Sequence, residues 1–435
     1  MCSSDLFRRE AAALMPAKFA NFDGRRRALS ALVGGGGYFA GMSRFRLLPT
    51  PSQQVVLVEH CRHARFVWNL AVEQQRLWQP GRRAPGYSDQ SAQLTEVRAE
   101  YDWLAAGSQT IQQQALRDFS QAMRSFFAGT HRRPSFRKAG IHEGFRQVGL
   151  KPSHVEKLSG RYGRVWVPKI GWIRFRWTRG VPAGVRSYRV TRDRAGRWHV
   201  AFAYIPDAIE GPHDGSVVGV DLGVVVSAAL STGELLHAPG LTSGERTRLR
   251  RLLQRLARAQ RGSHRRARIK LAIAKLKARE ADRRRDWVEK TTTDLARRFD
   301  TIRVEDLDVR AMTRSAHGTM EHPGTRVAQK RGLNRAVSHQ GWGRLIARLD
   351  HKAAGRLERI AAAYTSQRCS ACGYVARESR KSQAVFACVA CKAGPCNADV
   401  NAARNIAAGR AVPAQGDLAI RRSMNCEPQL SSPAA

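Results

Sequence analysis

The sequence predicts an α+β amino-terminal lobe, a small antiparallel β-barrel with a helical section inserted into it, followed by an α/β domain that carries a zinc ribbon. Three observations point there. Apolar residues fall at helical spacing from Gln53 to Trp78, and again at Leu116, Phe119, Met123, Phe126 and Phe127. Between residues 160 and 205 the period changes to two: VWVPKI, GWIRFRW, SYRVTR and WHVAFAYI alternate or run apolar, rich in β-branched and aromatic residues. Two Cys-x-x-Cys knuckles, Cys369/Cys372 and Cys388/Cys391, then follow with fifteen residues between them.

Charge limits the partners. The 435 residues leave room for two or three domains. Lys and Arg number 75 against 35 Asp and Glu, a formal net charge of +40. An excess of that size calls for a polyanion, and nucleic acid fits it best. A membrane surface accounts for it poorly, because the charge is spread over every segment and no apolar run reaches spanning length. No basic stretch followed by an apolar core and a cleavage site opens the chain, which leads us to expect a cytoplasmic protein. Eight cysteines, four of them paired as knuckles, suit a reducing compartment; Cys2, Cys61, Cys396 and Cys426 read as incidental.

The elements follow in order. Residues 1–41 hold the Gly34–Gly37 run and no period that continues, so they read as a disordered extension with translation expected to start at Met42; a helix around Leu6–Ala20 is the alternative. Residues 42–210 form the barrel lobe, opening on the β-like Phe45–Leu48, with its helical part over about 53–130. The aromatics of that helical part share one face and read as core. In HRRPSFRKAG (His131–Gly140), Arg132, Arg133, Arg137 and Lys138 surround Phe136 without helical period, which suits phosphate contact with stacking or equally a plain solvated loop. Ile173, Phe175 and Trp177 are expected to face inward and Arg174 and Arg176 outward, and DRAG (Asp193–Gly196) reads as a hairpin turn.

A second domain is expected over 211–363. VVGVDLG is a buried strand with Asp221 near its end, followed by VVVSAALS and a Thr232-Gly233 turn, the opening of a ribonuclease-H-like sheet; taken alone, Asp221 could equally be a satisfied structural carboxylate. Residues 243–299 read as a helical hairpin broken at Gly262-Ser263, with stripes at Leu249, Leu252, Leu253 and Leu256 and at Ile269, Ile273 and Leu276. Arg248, Arg250, Arg251, Arg255, Arg258, Arg265, Arg266 and Arg268 crowd between the stripes. Such a face is commonly solvated charge, but like charges at helical neighbour spacing repel, and their density favours a surface that tracks phosphates. FDTIRVEDLD supplies a strand ending at Glu305, with Asp306 on the opposite face. Residues 309–332 read as a loop, Trp342, Leu345, Ile346 and Leu349 as the core face of a helix, and LERIAAAYTS as a strand leading into the ribbon.

The ribbon is expected over 364–395. Two knuckles at this separation let Cys369, Cys372, Cys388 and Cys391 close tetrahedrally on one zinc ion, two thiolates from each turn. Gly373 follows the first knuckle where a backbone N–H approaches sulfur, and Lys392 takes that place in the second. Residues 396–409 are a last segment with Asp399 at a helix mouth, and 410–435 read as a disordered tail. The thirteen histidines show no metal-binding spacing.

TSQRCSACG, a second Cys-x-x-Cys and then ADVNAARNI resemble the carboxy-terminal half of the TnpB/OrfB proteins of bacterial insertion sequences, relatives of compact type V CRISPR nucleases. Gly332–Ala353 and Phe45–Gln54 also resemble family segments, so the likeness runs from about Met42 to about Ala408. It implies a wedge and recognition lobe that grips guide RNA and target duplex, and a RuvC-like nuclease with three acids matching Asp221, Glu305 and Asp399. Where the family often has a histidine before the returning helix, this chain has DWVEK (Asp286–Lys290). Nucleases of this fold cut phosphodiesters with two Mg²⁺ about 3.5–4 Å apart, held by carboxylates. Asp221 and Asp399 are then the principal ligands and Glu305 the third ligand or an orienter. The expected function is an RNA-guided DNA endonuclease of a transposable element, with a guide RNA from that element and double-stranded DNA as partners. Nucleic-acid contacts are expected at Arg132, Arg133, Arg137, Lys138, Arg251, Arg255, Arg258, Arg265 and Arg266. The alternatives are a nuclease-inactive RNA-guided binder or repressor, disfavoured by three intact acids, and a conventional transposase.

Overall fold

The computed structural model describes residues 43–409 except Pro80, Arg82, Ile205, Lys392 and Ala393, so the expectations for 1–41, 410–435 and Lys392 lie outside the described residues. Helices and sheets are mixed throughout, an α+β chain. It divides into two compact units, one of residues 43–207 with 241–282, the other of 208–240 with 283–409.

In the first unit, β1 (Ser43–Leu48) passes directly into α1 (Pro51–Leu77). Thr50 caps that helix, its hydroxyl accepting from the Gln53 amide at 3.3 Å while the Gln53 side chain accepts from the Thr50 amide at 3.1 Å, and Pro51 supplies a preset first turn. Leu57, Cys61, Ala64, Val67, Trp68, Ala71 and Val72 form its buried stripe. It packs with α2 (Tyr87–Glu100), the single turn α3 (Asp102–Ala105) and α4 (Gln109–Phe127).

These helices share one core with a seven-stranded antiparallel sheet in the order β2-β6-β7-β1-β5-β4-β3. Its strands are β2 (Glu143–Val148), β3 (Val155–Lys157), β4 (Tyr162–Val167), β5 (Gly171–Arg176), β6 (Ser187–Arg192) and β7 (Trp198–Phe202) around β1. β1 changes partner along its length: Ser43–Arg46 pair with β7, and Leu47 and Leu48 with β5. The inward face brings Phe45, Phe175 and Phe202 together with ring centroids 5.3–5.9 Å apart, as the two-residue period requires. Ile173 and Phe175 are buried and Arg174 and Arg176 exposed, as expected; Trp177 is half-buried and stacks on Phe175. The DRAG turn closes on Asp193, whose carboxylate accepts from the Ala195 and Arg197 amides. The unit also holds α5 (Ser243–Arg258) and the first part of α6 (His264–Arg298), packed through Leu252, Ile269 and Leu276.

The second unit is built on a sheet ordered β10-β9-β8-β11-β12, with β8 (Val217–Asp221), β9 (Ala228–Leu230), β10 (Leu235–Leu236), β11 (Thr301–Glu305) and β12 (Leu357–Ile360). β10, β9 and β8 run antiparallel; β11 and β12 join β8 in parallel. The end of α6, α8 (Val327–Gln340) and α9 (Trp342–Lys352) bury Val288, Leu295, Val337, Trp342, Leu345 and Leu349 with the sheet's Val218, Val220, Ile302 and Val304. Lys352 is buried, and its ammonium donates to the Glu289 carbonyl at 2.7 Å and to the Thr292 and Thr293 hydroxyls at 3.0 and 2.8 Å while pairing with the Glu289 carboxylate at 3.0 Å. That satisfies a charge burial would otherwise penalise. The ribbon carries the short strands β13 (Val385–Phe386) and β14 (Cys396–Asn397) and is followed by α10 (Ala398–Ala407).

Several details differ from the sequence reading. Phe127 is 76% exposed and Leu253 49% exposed, so neither belongs to the stripe its spacing suggested. The expected loop 309–332 contains α7 (Val309–Met312) and the first turns of α8. Only Leu357–Ile360 of LERIAAAYTS is strand.

Candidate functional site

The cysteine knuckles fold onto one point. Cys369 and Cys391 have sulfurs 3.7 Å apart, Cys372 and Cys388 3.6 Å, and all four lie within 4.8 Å of one another. Four thiolates at about 2.3 Å from a tetrahedral zinc stand about 3.8 Å apart, so the arrangement fits that ion. No disulfide links them. The Cys391 and Ala390 amides point at the Cys388 sulfur, at 3.5 and 3.4 Å, and hold its thiol down to about 6, so it is ready to ligate as thiolate. Gly373 differs from the sequence reading: its N–H closes a turn on the Cys369 carbonyl at 2.9 Å rather than on sulfur, and its φ of +80° lies in the left-handed region that glycine alone adopts freely.

The acids come from three elements of the second unit. β8 and β11 are parallel neighbours, with Val220 opposite Val304. One residue further on, Asp221 and Glu305 end these strands at the same level, on strands about 4.8 Å apart. Gly219, two residues before Asp221 and so on the same face, is where α10 lies against the sheet. A Cβ there would stand 2.0 Å from the Ala403 carbonyl oxygen and 2.4 Å from the Ala407 amide nitrogen. Asp399 is one turn before Ala403 on that helix and shares its face.

Each acid has protein neighbours. Glu305 is 9% exposed and accepts the Thr365 hydroxyl. Asn397 caps α10 by accepting from the Asp399 and Val400 amides, at 3.0 Å each. Burial pushes the Asp399 carboxyl up, and Arg380, 3.5 Å away, pulls it partly back. The three carboxylates do not close on one another as tightly as the four sulfurs: among the described residues only the cysteines form a group of three or more such ligand atoms within 4.8 Å.

The basic candidates divide by burial. Arg132, Arg133 and Lys138 are exposed, whereas the Arg137 guanidinium lies 3.6 Å from the Trp68 ring centroid, and burial pushes it down to about 10. Phe136 is half-buried beneath Arg76. On the hairpin, Arg251, Arg255, Arg258 and Arg265 are exposed. Arg266 instead donates to the Leu256 and Ala259 carbonyls, both at 2.7 Å, and closes the end of α5. Thr365, Arg380, Asn401 and Asn405 were not singled out from sequence; Thr365 lies within the TSQRC run, but nothing in that run shows which acid its hydroxyl meets. Among the described residues no helix is long and apolar enough to cross a membrane.

A mixed α+β chain with a four-cysteine ribbon, its sulfurs spaced to hold one metal ion, set between a mixed sheet and the last helix packed on that sheet defines a class. The comparisons identify the family within it. Residues 43–82 match a family model described as a helix-turn-helix domain, 199–316 one described as a probable transposase, and 342–406 one described as a Cas12f1-like TNB domain. The chain is 34% identical over 383 residues to the "Putative RNA-guided DNA endonuclease InsQ" of Escherichia coli (strain K12), covering 86% of this chain and 94% of that one. It is 31% identical over 389 residues to a "Putative RNA-guided DNA endonuclease" of Streptomyces pristinaespiralis, covering 86% and 90%. A cryo-EM structure of a Cas12f1–sgRNA–target DNA complex aligns over 82% of each chain at 14% identity, with a TM-score of 0.48. The chain belongs to the TnpB/OrfB family.

Proposed function

We infer that the protein is an RNA-guided DNA endonuclease of a transposable element, hydrolysing target DNA at Asp221, Glu305 and Asp399. Membership of the family supports the activity. The observation that carries the site is the level ending of Asp221 and Glu305 on adjacent parallel strands, with the helix of Asp399 seated on the same face. Oxygen ligands from separate elements suit Mg²⁺, which keeps several of its waters, so a carboxylate reaches the ion directly or through one of them. Two such ions, when bound, activate the attacking water and stabilise the leaving oxygen. Asp221 and Asp399 would hold them, and Glu305 would be the third ligand or orient one.

The finer readings rest on partial support. Zinc in the ribbon is supported by the sulfur spacing. A ribonuclease-H-like, RuvC-type domain over 211–363 and 396–409 is supported by the order β10-β9-β8-β11-β12, three antiparallel strands followed by two parallel ones. A wedge-type barrel over 42–210 is supported by the switch of β1 between two partners, as strands do at barrel corners. The exposed Arg251, Arg255, Arg258 and Arg265, with Arg132, Arg133 and Lys138, are proposed to meet phosphates of a guide RNA from the host element or of the target duplex. Base pairing would then supply the sequence specificity. Such a protein would work in the bacterial cytoplasm, on the nucleoid.

The test is plasmid cleavage by the purified protein with Mg²⁺ and the RNA that copurifies with it. Cleavage that disappears in Asp221→Ala while target binding persists supports the reading. Binding without cleavage by the unaltered protein would instead make it a guided repressor, and joined strands a transposase.

A further inference from the structure

The TSQRC run does more than deliver Cys369 to the ribbon. Thr365 is 3% exposed, and its hydroxyl donates to Oε1 of Glu305, itself nearly buried. The same hydroxyl lies 3.1 Å from the Ala362 carbonyl, but it has one proton, and a carboxylate is the stronger acceptor. The backbone around it is tied to α10. Asn405 donates to the Thr365 carbonyl at 2.9 Å and to the Arg368 carbonyl at 2.8 Å. Asn401 donates to the Arg368 carbonyl at 2.7 Å and accepts from the Ser370 amide at 2.9 Å. Asn401 and Asn405 are buried, one helical turn apart. Cys369 lies between the two backbone groups that Asn401 holds.

We propose that Thr365 is a positioning residue for Glu305, held by Asn401 and Asn405, and that this strap couples the cysteine knuckle to the carboxylate centre. The proposal rests on the reading of Glu305 as a metal ligand. A buried glutamate has three side-chain torsions, and one fixed hydrogen bond to Oε1 removes most of that freedom. The strap's other ties run to α10, the helix that bears Asp399, so two of the three acids are set by one short segment. Thr365 acts through Glu305, which its hydroxyl meets.

The experiment compares Thr365→Val, which keeps the shape and loses the hydroxyl, with Thr365→Ser, which keeps the hydroxyl and loses the methyl group. Both are assayed as the full chain with its copurified RNA. Two readouts are taken: cleavage rate against Mg²⁺ concentration, separating half-saturation from maximal rate, and Mn²⁺ binding to the uncut complex by electron paramagnetic resonance. Zinc content and melting temperature are recorded alongside. The proposal expects Thr365→Val to need about tenfold more Mg²⁺ for half-maximal cleavage and to bind Mn²⁺ about tenfold more weakly, with Thr365→Ser close to the parent. Asn405→Ala is expected to shift both in the same direction. A parent-like Mg²⁺ dependence and Mn²⁺ affinity in Thr365→Val, or a defect greater in Thr365→Ser, would overturn it, because packing alone then explains the residue. If Thr365→Val lowers zinc content, Thr365→Ala is read in its place by the same criteria. Glu305→Gln separates the two levels: full cleavage by that variant defeats the reading of Glu305, whereas an inactive Glu305→Gln beside a parent-like Thr365→Val defeats only the positioning role.

Discussion

At the scale of single residues, the least conspicuous side chain near the site is the hydrogen atom of Gly219. Replacing it with a methyl group drives a Cβ into the Ala403 carbonyl, and neither the central strand nor the helix backbone has slack to absorb a 2.0 Å approach. Gly219→Ala is expected to destabilise the second unit by about 3 kcal/mol, the upper range for overpacking, and to weaken cleavage by displacing Asp399. Urea unfolding with a cleavage assay checks this, and an unchanged midpoint would contradict the close packing. On the proposal that the ribbon holds zinc, Cys372→Ser is expected to take zinc content from about one per chain toward none and to lower the melting temperature, since structural zinc contributes folding energy directly. Atomic absorption on the purified variant decides. The cysteines were legible because ligand spacing is local. Gly219 was not, because nothing in VVGVDLG shows what lies across from it.

At the scale of elements, the hairpin of α5 and α6 separates two uses of arginine. Arg266 is committed to the two carbonyls at the end of α5, and Arg266→Gln is expected to cost about 1 kcal/mol of stability, a typical value for removing a hydrogen bond from a charged group or a helix cap. Neutralising Arg255, Arg258 and Arg265 together is expected to leave the melting temperature nearly unchanged. It should reduce the slope of log affinity against log salt by about two, at roughly 0.7 for each phosphate of a single strand that is no longer neutralised. Filter binding across a salt series, with melting curves, tests both; an unchanged slope would return those arginines to plain solvated charge. The hairpin and its break at Gly262-Ser263 could be read from the leucine and isoleucine periods. The role of Arg266 could not, because a capping arginine and a solvated one look alike in a basic run. β2 escaped the sequence reading for a related reason: its inward residues are Phe145 and Gln147, and a buried glutamine breaks the apolar alternation by which a strand is recognised.

At the scale of the whole molecule, buried histidines set an acid limit. Burial, with Arg44 nearby, pushes His199 down to about 4, and burial also lowers His60 and His63. A histidine whose folded value lies below its unfolded 6.5 binds fewer protons in the fold. Its contribution is therefore intact above about 6.5 and is lost as pH falls through 4. For His199 the loss is on the order of 2 kcal/mol after allowance for partial solvent screening. Stability is expected to fall steadily from pH 6.5 to 4, and His199→Gln to flatten part of that slope; urea midpoints at pH 7 and 4.5 measure it. The formal charge of +40 acts in the same direction, since acid removes the carboxylates that offset it.

What the sequence determined by itself were the quantities that depend on spacing along the chain: the helical and strand periods, the four-cysteine cage and the net charge; the three acids came from resemblance and stand as a proposal. Those signals are local or compositional, and they carry into the fold except where packing leaves a residue of the period exposed, as at Phe127 and Leu253. Only the fold decided which residues meet across distance: that Asp221 and Glu305 end adjacent strands, that Gly219 admits the helix of Asp399, and that Thr365 turns toward Glu305. Such meetings join positions separated by 60 residues or more along the chain, and no local period carries information over that separation.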